Sequence, residues 1–221
     1  MYLTPAMRKF TISLIIITLH HIGFAQSSPD SSKPTSLLFN GAEYVKQFNP
    51  SKGDPFFPIS NHNGSVKYHQ NWYNNIEVHY DCEDDYVVVR DMRGLLKLRL
   101  INEMLEEFVV DGHRFVKKPL VSPNGELYEL IFEGKKTLLV KWVKRLNSDV
   151  KTTDTYVLRK HLLLLANGKV YPIENISDLL SFSDTHSKEL RKVLKEKKLT
   201  FKKDPINASR TLLKEMEEKG W

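Results

Sequence analysis

From Ser65 to about Ile173 the chain alternates apolar and polar residues repeatedly, with turn-forming residues between the runs. A period of two sends successive side chains to opposite faces of a strand, so this span predicts consecutive antiparallel strands, about nine to eleven of them. Asp111-Gly112 and Asn167-Gly168 suit two-residue turns with positive φ at both positions. The first turn would set Val110 opposite His113 and Phe108 opposite Phe115, an aromatic cross-strand pair. The second would join LLLLA to KVYPI. Glu133-Gly134 plays the same part more weakly between LYELIF and KKTLLVKW. Upstream, Leu37 to Phe48 reads as short strand material around Asn40-Gly41, followed by the loop SKGDPFFPISNHNG.

After Pro172 the apolar period lengthens to about 3.6. Asp184 or Thr185 is placed to cap a helix with Leu190, Val193 and Leu194 on one stripe and Arg191, Lys192 and Lys195 opposite. Asp204-Pro205 is a cap followed by a first-turn proline. It opens a helix whose buried stripe would be Leu212, Leu213 and Met216. The expected fold is therefore mainly β (α+β): a curved antiparallel β-meander or partial barrel with two or three C-terminal α-helices. It forms a single β-rich domain over 37–221, helical from about residue 175.

The first 25 residues change the picture of where this domain works. Arg8 and Lys9 precede an apolar run, Phe10 to Leu19, and Gly23-Phe24-Ala25 offers a small-x-small cleavage site. This is the pattern of a signal peptide, with an apolar part shorter than the roughly 20 residues a spanning helix needs. No later stretch is apolar enough to cross a bilayer as a helix. Residues 26–36 (QSSPDSSKPTS) are Ser/Pro-rich and polar, the composition of a disordered leader. The expected location is outside the cytoplasm: periplasm, outer-membrane-associated or extracellular. The net charge of +6 falls to +4 without residues 1–25, which hold two cations and no acid. So mild a balance supports no nucleic-acid partner. Cys82 is the only cysteine, so no disulfide forms within the chain, and a lone cysteine most often packs as a small apolar side chain.

The richest polar cluster lies in YNNIEVHYDCEDDYVVVRD, residues 73–91. Alternation puts Ile76, Val78 and Tyr80 on one face and Glu77, His79 and Asp81 on the other. With Glu83-Asp84 as the turn, Cys82 faces Asp85, Asp81 faces Tyr86, His79 faces Val88, Val78 faces Val89, and Glu77 faces the cation Arg90. As metal ligands, Glu77, His79 and Asp81 would have to converge from about 6.5–7 Å apart to donor distances near 2.0–2.2 Å. The carboxylates also lack the spacing of a calcium loop. The expectation is an exposed charged hairpin, with His79 and Asp81 on a solvated face and no metal.

Other chemistry is sparse. The chain has no G-x-S-x-G elbow, H-E-x-x-H, C-x-x-C, phosphate-cradling glycine loop or dinucleotide fingerprint. His62, His69, His79, His113, His161 and His186 are scattered, and Cys82 and His79 point to opposite strand faces. No catalytic residue and no cofactor is assigned. Tyr68, Trp72, Tyr73, Tyr80 and Tyr86 are the candidate ligand-binding residues, as aromatics able to line a carbohydrate or apolar-ligand site. The same side chains also serve as ordinary strand packing.

The segments LFNGAEYVKQFNPSKGDPFF, VKYHQNWYNNIEVHYD, FVVDGHRFVKK, ANGKVYPI and KELRKVLKEKKLTFKKD together resemble a set of uncharacterised exported, signal-peptide-bearing envelope proteins of Bacteroidetes-type Gram-negative bacteria. The resemblance spans most of residues 26–221 and implies an envelope location, without a mechanism. The leading expectation is an exported non-enzymatic binding or accessory protein of the cell envelope. Its partner would be a lipid or other apolar ligand held between the curved sheet and the C-terminal helices, or an envelope protein. The alternatives are an envelope hydrolase using Glu77, Asp81, His79 and His113, and a structural partner of an outer-membrane or secretion complex docking through the basic C-terminal helices.

Overall fold

The computed structural model describes residues 37–147 and 155–221; the expected signal peptide and leader lie outside them. Eleven strands form one open antiparallel sheet: β1 (Ala42–Glu43), β2 (Asn63–Tyr68), β3 (Asn71–Asp81), β4 (Tyr86–Arg90), β5 (Lys97–Arg99), β6 (Leu105–Val110), β7 (His113–Lys117), β8 (Leu127–Glu133), β9 (Thr137–Asn147), β10 (Thr155–Ala166) and β11 (Lys169–Ile173). The helices follow as expected from the change of period: α1 (Ile176–Leu180), a short 3-10 stretch, α2 (Ser187–Glu196) and α3 (Pro205–Lys219).

The strand order is β1-β5-β4-β3-β2-β6-β7-β8-β9-β10-β11. The expected uninterrupted meander is thus broken once, because β6 pairs with β2 rather than with β5. Four antiparallel steps separate β5 from β6, so the two run in the same direction. In a flat sheet they would stand about 19 Å apart, at about 4.8 Å per strand. They are joined only by Leu100–Met104, part of which is a 3-10 turn rising about 2 Å per residue. The short link obliges β2–β5 to curl over themselves, and this curvature gives the domain its inside.

Three of the expected hairpin registers are found, whereas Glu133 lies in β8 and pairs with Thr137, so that turn spans residues 134–136 and not Glu133-Gly134. Phe108 pairs with Phe115 and Val110 with His113 around Asp111-Gly112, both at positive φ, and the two phenyl rings stack at 4.6 Å. Ala166 pairs with Lys169 around Asn167-Gly168. Asp81 pairs with Tyr86, His79 with Val88 and Val78 with Val89. The β2–β3 turn is less obvious, with His69 and Gln70 both at positive φ. In β3 Asn75 is an extra residue between the pairs Gly64–Ile76 and Ser65–Asn74, at φ 57°. The bulge shifts the alternation by one, so Tyr73 before it and Ile76, Val78 and Tyr80 after it all point inward.

Two apolar clusters fill the inner face. One packs Tyr68, Val78, Tyr80, Phe108, Phe115 and Leu127 inside the curl. The other packs Leu138, Val140, Leu164 and Ile173 of the sheet against Leu190, Leu194, Leu212, Leu213 and Met216 of the helices. Trp142 borders both. The side chain of Asp204 caps α3, accepting from Asn207 N at 3.0 Å. The start of α2 differs from expectation: its N-cap is His186, without a capping side-chain bond, because Asp184 and Thr185 fall within the preceding 3-10 stretch. Among the described residues no helix is long and apolar enough to cross a membrane.

Candidate functional site

The tip of the β3–β4 hairpin gathers Asp81, Glu83, Asp84 and Asp85, as its sequence suggested, but only Asp84 among them is exposed. Residues 44–57 strap across it: Phe57 N donates to Tyr80 O at 2.7 Å and Cys82 N to Pro55 O at 3.0 Å. On the other side Lys144 N donates to Cys82 O at 3.1 Å. The expectation of a solvated face is therefore corrected, since His79 and Asp81 are both buried. Alternation identifies the face correctly, yet it carries no information about a distant segment that covers it.

Under the strap each carboxylate has a partner. Asp81 Oδ2 accepts from Tyr44 Oη at 2.8 Å and Lys46 Nζ at 3.0 Å, and Oδ1 accepts from Glu83 N and Asp84 N. Lys46 also reaches Glu83 at 2.8 Å and Asp84 at 2.7 Å. Burial alone would lower the Lys46 pKa, but bonds to Asp84, Glu83 and Asp81 outweigh it and raise the ammonium above its ordinary value. Burial, then the Asp81 bond, raises the Tyr44 phenol. Asp85 accepts from Tyr80 Oη at 2.6 Å and pairs with Lys141 at 2.8 Å. With their oxygens committed to lysines, tyrosines and amides, these groups act as fasteners between strap, hairpin and β9. Among the described residues no group of three His, Cys, Asp or Glu is arranged to hold a metal ion.

Beside this knot, His79 lies between Phe56, at 5.3 Å between ring centres, and His62, at 4.1 Å. Burial lowers the His79 pKa, and its Nε2 stands 2.8 Å from Glu77 Oε1, which accepts from it. Arg90 Nε donates to Glu77 Oε2 at 2.7 Å and, with smaller help from His79, holds that carboxyl at about 2. The expected pairing of Glu77 with Arg90 is present.

A second polar group joins the two apolar clusters. Glu129, buried in β8, accepts from Trp142 Nε1 at 2.6 Å and contacts His113 Nδ1 at 2.6 Å. Phe57 packs on both His113 and Trp142. Of the histidines singled out in the sequence, only His113 keeps a partly exposed ring beside a buried carboxylate. Glu129 itself was not legible, since a polar residue within LYELIF carries no local signal of its partners.

The five aromatic candidates do not converge. Tyr68, Tyr73 and Tyr80 are buried in the inner cluster, where Tyr68 Oη donates to Asn40 Oδ1 at 2.7 Å. Trp72 is 44 % exposed on β3. Tyr86 lies beneath the Arg99 guanidinium, 4.3 Å from its ring centre. Three of the five are core packing residues, and Trp72 stands at the surface.

A hollow is found elsewhere, at the margin where the sheet meets the helices. A cleft of about 410 Å³ opens between β10, β11 and the link from α2 to α3. Leu162, Leu163, Ile173 and Phe201 supply its apolar lining, and Lys160, His161, Lys202 and Glu174 its polar lining. The space deeper between sheet and helices is filled, with Leu138, Leu164, Leu190 and Leu212 all at 0 % exposure. The apolar stripe of α3 is spent on the same contact, so no docking face remains on that side of the last helix. Compared with known proteins, the chain matches no family model, no curated protein sequence and no solved structure.

Proposed function

We propose that the protein is an exported, non-enzymatic binding module of the cell envelope whose marginal cleft receives a small amphiphile with an anionic head, such as a medium-chain carboxylate. The observation that carries this reading is the cleft's mixed lining: buried Leu162 and Ile173 with half-buried Phe201, together with exposed Lys160, His161 and Lys202. Its volume of about 410 Å³ falls in the range of about 300–1,000 Å³ typical of small-molecule sites. Glu174 is the one acid in the lining, so the lining favours a negative group. Export is supported by the order of Arg8-Lys9, the apolar run and Gly23-Phe24-Ala25. The hydrolase alternative loses support because Glu77 and Asp81 are held by Arg90, Lys46 and Tyr44 rather than opened to a substrate.

Displacement of a fluorescent fatty-acid analogue by dodecanoate tests the reading. Saturable displacement is expected, weakened at least tenfold in Lys160→Glu/Lys202→Glu, with dodecanol much the poorer competitor. Absence of saturable binding, or the same displacement by wild type and variant, would remove the cleft as the site.

A further inference from the structure

The β4–β5 turn presents a feature that neither the cleft nor the core accounts for. Among the described residues nine large apolar side chains stand substantially in solvent, and four of them share one end of the sheet. These are Val45 at 76 % exposure, Met92 at 75 %, Leu95 at 73 % and Leu96 at 41 %. Ala42 pairs with Arg99 and Glu43 with Leu98, and Tyr44 N donates to Lys97 O at 2.8 Å. Continued by one step, this register brings Val45 opposite Leu96, so the strap and the turn contribute to one patch.

The turn is built to hold these residues out. Asp91 Oδ1 accepts from Leu95 N at 2.6 Å and Leu96 N at 2.8 Å. Asp91 N donates to Leu96 O and Gly94 N to Asp91 O. Arg90 Nη1 closes the outer side by donating to Gly94 O at 3.0 Å. Gly94, at φ 70°, supplies the left-handed residue such a turn needs. Asp91, Arg90 and the Asp91–Arg93 ion pair hold the turn, and none of these bonds uses the side chain of Leu95 or Leu96. Polar residues would serve equally in water.

The charge around the patch indicates its occupant. The stretch RDMRGLLKLR, residues 90–99, holds four cations and one acid; the acid accepts from the turn's own amides, and Arg90 is paired with Glu77, which leaves Arg93, Lys97 and Arg99 as the basic side of the patch. Arg93 extends from the tip with its side chain 81 % exposed, its Nε 3.9 Å from Asp91 Oδ2. We propose that the Asp91–Leu96 turn, with Val45 beside it, is a docking tip for an anionic phospholipid bilayer, its leucines entering the headgroup–acyl boundary and its cations meeting lipid phosphates. A protein partner fits less well, because a specific interface takes about 20–30 residues a side and this tip offers a handful. A bilayer accepts apolar side chains individually to a depth of about 5–10 Å, assisted by attraction of basic residues to anionic lipid. The inference goes beyond the cleft and does not depend on it.

Co-sedimentation of the full chain with equimolar phosphatidylglycerol/phosphatidylethanolamine vesicles, against pure phosphatidylcholine vesicles, tests the tip at about 0.1 M salt, where charges act over about 10 Å. The apolar run Phe10–Leu19 is common to all variants, so the comparison between them isolates the turn. Leu95→Asp/Leu96→Asp should lower partition into the anionic vesicles at least tenfold with an unchanged denaturation midpoint. Arg93→Glu should lower it there by several-fold. An environment-sensitive dye on Leu95→Cys should shift to the blue with anionic vesicles and be quenched by brominated acyl chains. This uncharged variant tests the tip even if the double aspartate perturbs folding. Equal partition of wild type and double variant, or a dye that stays in water, would overturn the proposal, and so would capture of a protein by the tip without any response to vesicles.

Discussion

Lys46 Nζ lies 3.0 Å from the carboxylate of Asp81, a side chain with no solvent exposure at all. The pair links a strap residue to a strand residue thirty-five positions away, and the carboxylate serves Tyr44 and two amides of the hairpin tip as well. Removing it would leave a phenol and two N–H groups without this acceptor, while Lys46 keeps Glu83 and Asp84. A buried polar group left unsatisfied costs about 1–3 kcal/mol. Asp81→Ala should therefore lower the urea midpoint by several tenths molar or more, whereas Asp81→Asn, which keeps an acceptor for the two amides, should lose less. An Asp81→Ala midpoint equal to wild type would return the hairpin tip to the solvent.

The acid side of the stability profile should carry the marks of His79 and Glu77. Burial depresses the His79 pKa, so the unfolded chain binds its proton first. That contribution is present above about 6.5 and is lost as pH falls through the lower folded value. The Arg90 bond, with His79 second, holds Glu77 at about 2. Its stabilisation is present above the ordinary carboxylate value of about 4.3 and disappears as pH falls toward 2. Lys97 and His62 also oppose a charge on His79. Stability measured by denaturation from pH 7 to 3 should fall in two steps. His79→Phe should flatten the first and Arg90→Met the second; a profile unchanged by both variants would contradict the two assignments.

How much of this could be read in the sequence depended on whether the determining contacts were local. Asp111-Gly112 and Asn167-Gly168 announce their turns because positive φ at a glycine has a chemical signature. His69-Gln70 adopts the same sign of φ without one, held by pairing of Val66 with Tyr73 and Lys67 with Trp72. The face shared by Glu77, His79 and Asp81 follows from alternation, but what covers it is Tyr44, Lys46 and Phe56, in a segment whose Pro and Gly residues read as a loop. The return of β6 to β2 is likewise invisible locally, since pairing partners far apart in the chain leave no periodic trace. The cleft depends on Phe201 and Lys202 meeting Leu162 and Ile173, a tertiary contact. Aromatic content drew attention instead to Tyr68, Tyr73 and Tyr80, which the fold uses as core.

Cys82 offers a chemical probe of the same region. It is 3 % exposed, between the strap and β9, and burial, only partly opposed by Lys144, raises its thiol pKa above the ordinary value. Thiolate is the reactive form, so both exclusion and protonation suppress reaction. Native protein should react with iodoacetamide far more slowly than a free thiol at pH 8. Reaction should become rapid in the same urea range that unfolds the sheet, and earlier in Lys46→Met, where the strap is loosened. Prompt labelling of the native wild type would show that the strap opens on its own.

The helices provide the remaining test, because their stripes could have served either the sheet or a partner. Leu213 is 1 % exposed and belongs to the cluster formed with Leu138, Val140 and Leu164 of the sheet. Its truncation removes buried methyl groups and leaves a hollow among residues that are themselves at or near zero exposure. A change of this kind costs about 2–5 kcal/mol, with the spread set by how far the surroundings collapse. Leu213→Ala should show a midpoint lowered accordingly in chemical denaturation, while Lys214→Ala, one position on and exposed, should stay within about 0.5 kcal/mol of wild type. The paired variants distinguish a stripe that covers the sheet from one that waits for another protein. Equal midpoints for Leu213→Ala and wild type would mean that α3 leaves the sheet readily, and the wall of the cleft formed by the link before it would then be a movable one.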